Sequence, residues 1–213
     1  MLKKMKELIK KNYKIIIVLI CVVILFAIIE NLFDKETMTT DLLIHELIVE
    51  NMRNNVLTNI FKVITNLGGA YCLIAIATFL TFYIKNKKIA FSIPINLIII
   101  TALNILLKNI VERPRPIGYR LIDESGYSFP SGHSMISVAF YGLLIYHIWK
   151  NCKNIKLRNI SCILLSTLVF FIGISRIYLG VHYATDVIGG FVISIIYLIL
   201  FTGIYKNLKI GKE

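Results

Sequence analysis

Long apolar segments alternate with short polar ones along this 213-residue chain. A transmembrane helix needs about 20 mainly apolar residues to cross roughly 30 Å of hydrocarbon. Six segments approach or exceed that length, near 14–33, 67–84, 89–110, 133–149, 158–178 and 186–205. The pattern therefore predicts an all-α, polytopic membrane protein whose six transmembrane helices form one bundle.

A different pattern occupies residues 38–66, between the first two predicted spans. Apolar residues recur there at helical spacing among polar ones, which is typical of a short amphipathic helix lying on a membrane. The apolar stripe is Leu43, Ile44, Leu47 and Ile48, and the polar positions include Asp41, His45, Glu46 and Glu50. We expect Val56 to Asn66 to continue as a sloping entry to the second span.

Composition supports a membrane protein of one domain, covering residues 1–213. Apolar residues make up 57% of the chain and charged residues 17%, against about 25% charged in soluble domains. A net charge of +12 would suggest nucleic-acid binding in a soluble protein. Here the basic residues lie between apolar segments, so membrane topology explains them and no nucleic-acid partner is predicted. The sequence carries no indication of an oligomeric state.

The distribution of basic residues predicts the orientation. Of the 24 Lys and Arg residues, 16 lie at the termini or in the loops after the second and fourth spans. The positive-inside rule then places both termini in the cytoplasm of a multi-pass cell-membrane protein. The lysine-rich N-terminus resembles a signal peptide, but its apolar stretch is long and no cleavage site follows. We therefore interpret it as an uncleaved first span.

Three polar segments, at 108–116, 130–133 and 175–186, fall on the outer side in this topology. Ionisable groups are rare at helix depth, because each costs roughly 2.5–3.5 kcal/mol at the membrane centre. Two histidines, an aspartate and several cations in such a setting predict a site that binds and cleaves a phosphate.

The segment 130–133 has the features of an anion-binding helix start. Pro130 ends a preceding helix and Ser131 is a good N-cap, which leaves backbone N–H groups free at the helix N-terminus. Gly132 lets the backbone come close to a ligand. The alternative is an ordinary serine cap followed by an unrelated histidine, His133.

Arg113 and Arg115 each precede a proline, which favours an extended backbone. In a strand-like stretch their guanidinium groups would converge on one phosphate, whereas a polyproline II twist would separate them. Lys108, on the last turn of the third span, could reach the same place. The alternative is that these cations meet lipid headgroups, which suits Arg113 and Arg120 better than it suits the whole set.

His182 and Asp186 are four residues apart and share a face if the sixth helix starts by His182. A carboxylate on one imidazole nitrogen fixes the tautomer and leaves the other nitrogen free to act as nucleophile or base. The alternative is an interfacial histidine beside a capping aspartate. His133, His182 and Asp186 could form a metal triad, but neighbouring cations would repel a divalent ion, so neither metal nor cofactor is expected.

Together the three segments resemble the signature motifs of the type 2 phosphatidic acid phosphatase family. They read Lys108-x6-Arg115-Pro116, Pro130-Ser131-Gly132-His133 and Ser175-Arg176-x5-His182-x3-Asp186. The resemblance covers 108–186 and implies a metal-independent lipid phosphatase in a six-span bundle. It implies that His182 is the nucleophile, that Asp186 orients it and that His133 protonates the leaving oxygen. It also implies five phosphate-binding residues: Lys108, Arg115, Ser131, Gly132 and Arg176.

We therefore expect hydrolysis of a lipid phosphate or pyrophosphate at the outer face, through a phosphohistidine. Undecaprenyl pyrophosphate, phosphatidylglycerol phosphate and phosphatidate are the candidate substrates. The small six-span form favours the prenyl pyrophosphate, which would connect the protein to cell-wall assembly. A neutral His182 and a charged His133 predict a bell-shaped pH profile.

Two other functions remain open on the sequence. One is phosphotransfer to a sugar or lipid hydroxyl, because the acceptor pocket has no recognisable signature. The other is membrane transport or anion binding, although no internal repeat is seen and the ionisable groups gather at one face. A soluble vanadate-dependent peroxidase with similar motifs is disfavoured by the six predicted spans.

Overall fold

The computed structural model describes residues 2–33 and 38–207, with side chains from residue 12 onward apart from 31 and 33. This part of the chain forms eight α-helices and one π-helical turn and contains no strand, which confirms the all-α prediction. The helices are α1 (Leu2–Phe33), α2 (Thr39–His45), α3 (Asn55–Leu67), α4 (Ala70–Tyr83), α5 (Lys87–Val111), α6 (Gly132–Asn151), α7 (Ile155–Tyr178) and α8 (Ala184–Tyr205). Most of the terminal lysines that predict the orientation lie outside the described side chains.

The described helices are those of a membrane protein, but the count of six spans is not confirmed. Four helices are long and apolar enough to cross a membrane, namely part of α1 and all of α5, α7 and α8. A fifth span is formed if α3 and α4, which meet at a 46° bend, are taken as one. Most of the predicted boundaries lie within three residues of the observed ones. The exception is the N-terminal end of α1, which begins far earlier.

Helix α6 lies at the centre of the bundle, packed against α5, α7 and α8. It is less apolar than the four spans because it carries His133, Ser134, Ser137 and His147. These polar residues are tolerated because the neighbouring helices, rather than lipid, surround much of α6. Its Phe140, Tyr141 and Leu143 belong to the main apolar core.

The second span differs from its prediction, because α4 has only 14 residues. Helix α3 supplies the preceding part, as expected for a sloping entry, and the break falls at Gly68 and Gly69. A Cβ atom on Gly68 would lie 2.6 Å from Cγ2 of Ile172 and 2.8 Å from Oγ of Ser137. The bend therefore brings the backbone against α6 and α7 at a place where only glycine fits.

Helix α3 matches the predicted entry at Val56 to Asn66, whereas the amphipathic part of 38–66 differs from its prediction in two respects. The segment divides into α2, a π-helical turn (Glu46–Glu50) and α3. Ile44 packs against the apolar cluster at the start of α8, whereas Leu43 is 55% exposed and Asp41 is buried. Asp41 is buried because it forms an ion pair with Arg113 inside the protein. Part of the polar side of α2 therefore faces the protein rather than water.

Candidate active site

The three polar segments meet at one end of the bundle. The site is built from the last turn of α5, the connection 112–131, the first turn of α6 and the connection between α7 and α8. Helix α5 ends at Glu112, whose φ of 51° is left-handed and turns the chain back over the bundle. Ser131 then starts α6 as its N-cap, which confirms that prediction.

His182 and Asp186 are in contact, as predicted, although helix α8 begins two residues after His182. Nδ1 of His182 lies 3.3 Å from Oδ2 of Asp186, and both residues are buried. Asp186 also closes the first turn of α8, because Oδ2 accepts a hydrogen bond from the backbone N–H of Tyr183 at 2.9 Å. The hydroxyl of Ser128 donates to the same oxygen. These two hydrogen bonds hold the carboxylate of Asp186 in place independently of the imidazole.

Arg115 defines the tautomer of His182. Its Nη1 lies 3.1 Å from Nε2 of His182 and donates to the carbonyl of Val181 at 3.0 Å. Because a guanidinium can only donate, Nε2 must be the unprotonated nitrogen and Nδ1 must carry the proton toward Asp186. The remaining nitrogens of Arg115 donate to the carbonyls of Gly126 and Ser125.

Arg113 does not converge with Arg115, and it does not face lipid headgroups. It is 8% exposed, with Nη1 at 2.6 Å from Oδ1 of Asp186 and Nη2 at 2.7 Å from Oδ2 of Asp41. Its guanidinium stacks on the ring of Tyr183 at 4.1 Å. The headgroup interpretation is therefore wrong for Arg113, because two buried carboxylates provide a stronger partner than water or lipid.

Arg176 is almost completely buried at the end of α7. Its Nη1 donates to the hydroxyl of Thr65 on α3 at 2.7 Å, and its Nη2 pairs with the carboxylate of Glu124. The other oxygen of Glu124 lies 3.8 Å from Nη2 of Arg115. Glu124 thus bridges two of the cations that the sequence predicts to bind phosphate.

Lys108 and the first turn of α6 complete the cluster. The ammonium of Lys108 donates to the carbonyls of Tyr127 and Ser128, in the segment that leads to Ser131. A Cβ atom at Gly132 would come within 3.1 Å of Oδ1 of Asn104 on α5. His133 is partly buried and has Glu124, Arg176 and His182 among its electrostatic neighbours. All eight predicted site residues are therefore at this end of the bundle.

Burial and charge set the protonation of the groups in the connecting segments. Burial lowers the pKa of His182 to about 4, although Asp186 acts in the opposite direction. Burial alone would raise the pKa of Glu124, but Arg176 and neighbouring cations hold it below its usual value. His182 is therefore neutral and Glu124 ionised near neutral pH. Within the described side chains, no group of three His, Cys, Asp or Glu residues is arranged to hold a metal ion.

Sequence reasoning missed Glu124 and Ser128. It placed Asp41 among the polar positions of a membrane-surface helix, and it left Arg113 between phosphate binding and contact with lipid headgroups. Glu124 and Ser128 lie in a connection with no helical periodicity, so no local signal marks them. Asp41 lies 145 positions before Asp186, and their link through Arg113 depends on tertiary structure alone. The sequence feature that could have drawn attention to Asp41 is its position beside the apolar stripe of residues 43–48.

An apolar cleft of about 520 Å³ extends from His133 along the bundle. It lies between α4, α5 and α6, and small or apolar side chains form most of its wall. The residues along it are Gly68, Ala70, Leu73, Ile74, Leu97, Ile98, Thr101, Ala102, Ile105, Gly132 and Ile136.

Comparison with known proteins identifies the family. A family model described as the PAP2 superfamily matches residues 89–210. Phosphatidylglycerophosphatase B of Bacillus subtilis is 39% identical over 108 residues, 50% of this chain and 53% of that protein. Undecaprenyl-diphosphatase of Sulfolobus acidocaldarius is 27% identical over 145 residues, 65% of this chain and 66% of that protein. The match to the first of these relatives thus spans about half of that relative's length.

A solved structure agrees with this assignment. The crystal structure of a transmembrane PAP2-type phosphatidylglycerolphosphate phosphatase from Bacillus subtilis has a TM-score of 0.78 at 29% identity. The similarity covers 94% of this chain and 100% of that one. The family model covers more than half of the sequence and includes all three polar segments of the site. The chain therefore belongs to the PAP2 superfamily.

Proposed function

We propose that this protein hydrolyses the phosphate or diphosphate group of a membrane lipid, with His182 as the nucleophile. The observation that carries the proposal is the pair of contacts on the imidazole, Nδ1 toward Asp186 and Nε2 toward Arg115. They keep Nε2 unprotonated among cations, and its lone pair, which accepts from Arg115 here, becomes available for attack when that arginine turns to a bound phosphate. Membership of the PAP2 superfamily and the names of the relatives support the same chemistry.

Each of the predicted residues has a role in this proposal. Lys108, Arg115 and Arg176, with the hydroxyl of Ser131 and the backbone N–H of Gly132, stabilise the charge on the transferring phosphoryl oxygens. The backbone N–H of Ser131 does not take part, because it donates to the carbonyl of Asp186 at 3.1 Å. Asp186 holds the imidazole in its reactive tautomer. The described contacts allow these roles, because the cations and the N-terminus of α6 surround His182 from different elements of the fold.

The reaction proceeds in two displacements. Nε2 of His182 attacks phosphorus, the bond between phosphorus and the lipid oxygen breaks, and protonated His133 gives its proton to that oxygen. Neutral His133 then takes a proton from water, which attacks the phosphohistidine. The N–P bond breaks and inorganic phosphate leaves. Splitting one difficult substitution in this way lowers the barrier of each step.

Glu124 must leave its position for this reaction to occur. Its carboxylate contacts both Arg176 and Arg115, which are the cations that a phosphate would contact. A phosphate carries up to two negative charges and offers three oxygens to the same guanidinium groups. When substrate binds, its phosphate therefore replaces the carboxylate of Glu124 as the partner of the two arginines.

The apolar cleft beside His133 supports a lipid substrate. An apolar chain lying there would leave the phosphate near His133 and His182 while its remainder stays among the apolar helices. A soluble phosphate ester has no chain to place in the cleft, whereas a lipid chain can pass from the bilayer into it without being exposed to water.

Phosphate release by detergent-purified protein tests the proposal. The panel is phosphatidylglycerol phosphate, undecaprenyl pyrophosphate and phosphatidate, each with EDTA present. We expect release from at least one lipid by the wild type, and none by His182→Gln. The matched control is His147→Gln, because His147 lies 14 residues along α6 from His133 and bonds Ser92 instead.

Three results would contradict the proposal. Activity that disappears in EDTA would require a metal, and activity retained in His182→Gln would remove the nucleophile. Phosphate found on a lipid or sugar acceptor instead of free would indicate phosphotransfer. Samples quenched in alkali, where an N–P bond survives, should carry phosphate on His182 when analysed by peptide mass spectrometry.

We also propose that the site faces the extracytoplasmic side, with both termini in the cytoplasm. The bias of Lys and Arg toward the opposite loops supports this orientation. A short-chain phosphate substrate that does not cross membranes should be hydrolysed by right-side-out vesicles. Turnover confined to inverted vesicles would show the opposite orientation.

A further inference from the structure

We infer that Asp41, on the surface helix α2, is a positioning residue for His182 and acts through Arg113 and Asp186. This inference rests on the proposed function for the role of His182. Asp41 lies outside residues 89–210, the segment that matches the family model.

The first observation is the environment of Asp41. Its side chain is 2% exposed, although α2 lies on the outside of the bundle. Oδ2 accepts from Nη2 of Arg113 at 2.7 Å, and Oδ1 accepts from the backbone N–H of Thr185 at 2.9 Å. The hydroxyl of Thr185 lies within 3.0 Å of both oxygens. A carboxylate is buried in this way only when its partners are well placed, and here they all converge on the start of α8.

The second observation is that Arg113 is shared. Its Nη1 lies 2.6 Å from Oδ1 of Asp186, while Nη2 lies on Asp41. The opposite oxygen of Asp186 contacts Nδ1 of His182 at 3.3 Å. Four side chains therefore form one continuous line, in which a cation separates two carboxylates and the second carboxylate holds the imidazole.

This line has an electrostatic consequence. Asp186 helps His182 by stabilising the positive charge that develops on the imidazole as the N–P bond forms. Arg113 opposes this effect, because it draws on the same carboxylate. Asp41 offsets the charge of Arg113 and so leaves Asp186 available to the imidazole. Asp41 has no recorded contact with Lys108, Arg115 or Arg176, so it should influence the chemical step rather than phosphate binding.

The substitution Asp41→Asn tests this idea, because it removes the charge and keeps the shape. We expect kcat to fall about tenfold while KM stays within twofold of the wild type. The matched control is Glu46→Gln, which removes an exposed carboxylate that follows α2 directly and should leave both constants unchanged. In an Arg113→Gln background, Asp41→Asn should cause no further loss, because the residue through which it acts is gone.

Three kinetic outcomes would overturn the inference. The first is an unchanged kcat in Asp41→Asn. The second is a rise in KM without a fall in kcat. The third is an equal loss of kcat in the wild-type and Arg113→Gln backgrounds, which would show that Asp41 supports the fold independently of Arg113.

A second measurement does not depend on turnover. The chain has four histidines, so the Nδ1 proton of His182 can be assigned by NMR from its loss in His182→Gln. We expect Asp41→Asn to move this resonance upfield, because Arg113 then weakens the acceptor strength of Asp186, and Glu46→Gln to leave it in place. An unchanged resonance in Asp41→Asn overturns the inference. A shifted resonance in a protein that hydrolyses no lipid phosphate would instead overturn the proposed function and leave the coupling intact.

Discussion

Nη1 of Arg115 lies 3.1 Å from Nε2 of His182, so a guanidinium donates to the single lone pair of that nitrogen. The same side chain is held by the carbonyls of Val181, Gly126 and Ser125, which fix its fork in one plane. The arrangement keeps Nε2 unprotonated and holds beside it the guanidinium that we propose binds phosphate. It also makes the geometry of this arginine as important as its charge.

The substitution Arg115→Lys should therefore lower kcat/KM about 100-fold, although it conserves the charge. A lysine ammonium cannot form the planar set of contacts that orients the guanidinium. Phosphate release at subsaturating lipid measures the ratio. Arg120→Lys is the control, because Arg120 is exposed and its Nε contacts only the nearby carbonyl of Pro116 among the bonds described. A value for Arg115→Lys close to the wild type would show that charge alone is sufficient.

Glu124→Gln should strengthen inhibition by inorganic phosphate severalfold. In the wild type the phosphate must displace an ionised carboxylate from Arg176 and Arg115, whereas a neutral amide competes less strongly. The inhibition constant of phosphate against lipid hydrolysis, or direct calorimetry, gives the answer. Asp123→Asn removes the neighbouring exposed carboxylate and should leave the constant unchanged. Weaker phosphate binding in Glu124→Gln would contradict the displacement.

Stability should fall as the pH drops from 6.5 toward 4, partly because of His182. Its folded pKa of about 4 lies below the ordinary value near 6.5, so acid protonates the unfolded chain first. The stabilising contribution is complete above pH 6.5, lost progressively below it, and amounts to at most about 3 kcal/mol. Thermal unfolding in detergent should show a shallower pH dependence for His182→Gln than for the wild type. Equal slopes would mean that His182 is not buried as a neutral group.

The low pKa of His182 also changes how activity is expected to depend on pH. His182 stays neutral between pH 5 and 8, so the acid limb that it contributes lies below pH 5. The alkaline limb, from deprotonation of His133, stays a prediction. A loss of activity above neutral pH in the wild type is the measurement that checks it, with the lipid held in the same ionisation state.

Gly68→Ala should destabilise the protein by about 1–3 kcal/mol, because the new Cβ atom would collide with Ile172 and Ser137. Gly203→Ala is the matched control. A Cβ atom at Gly203 has no neighbour within 4 Å in the described structure, and alanine favours a helix. We expect the melting temperature to fall for Gly68→Ala and to stay the same or rise slightly for Gly203→Ala. Similar melting temperatures for the two variants would show that the bend between α3 and α4 can shift to make room for the new Cβ atom.

The sequence predicted those features that depend on a single residue or on the length of one apolar segment. Apolar segments predicted most helix boundaries, and Pro130 with Ser131 predicted the start of α6, because these signals act within a few residues. His182 and Asp186 were paired correctly, although through the first turn of α8 rather than along a helix face. The residues that the resemblance implied lie together at one end of the bundle, and their roles stay predictions.

The failures all involve partners that are distant along the chain. Asp41 was placed on a membrane-surface helix, and Arg113 was left between a phosphate and lipid headgroups, because neither segment reveals its partner. Only their ion pair explains their burial. Glu124 carries no local pattern, and its importance follows from Arg176, 52 residues later. The second span lies close to its predicted place, but the sharp break before it was not predicted, because the break depends on contacts of Gly68 with α6 and α7.

The bridge formed by Glu124 keeps the site close to electrical neutrality. Four cations gather here, namely Lys108, Arg113, Arg115 and Arg176, together with the carboxylates Asp41, Glu124 and Asp186. Apart from His133, whose charge changes during the proposed reaction, the formal sum is +1. It would become +2 if Glu124 moved into water, against the roughly −2 charge of a phosphate monoester dianion. The resting and the phosphate-bound site would then both avoid a large uncompensated charge near the membrane, where such a charge is least tolerated.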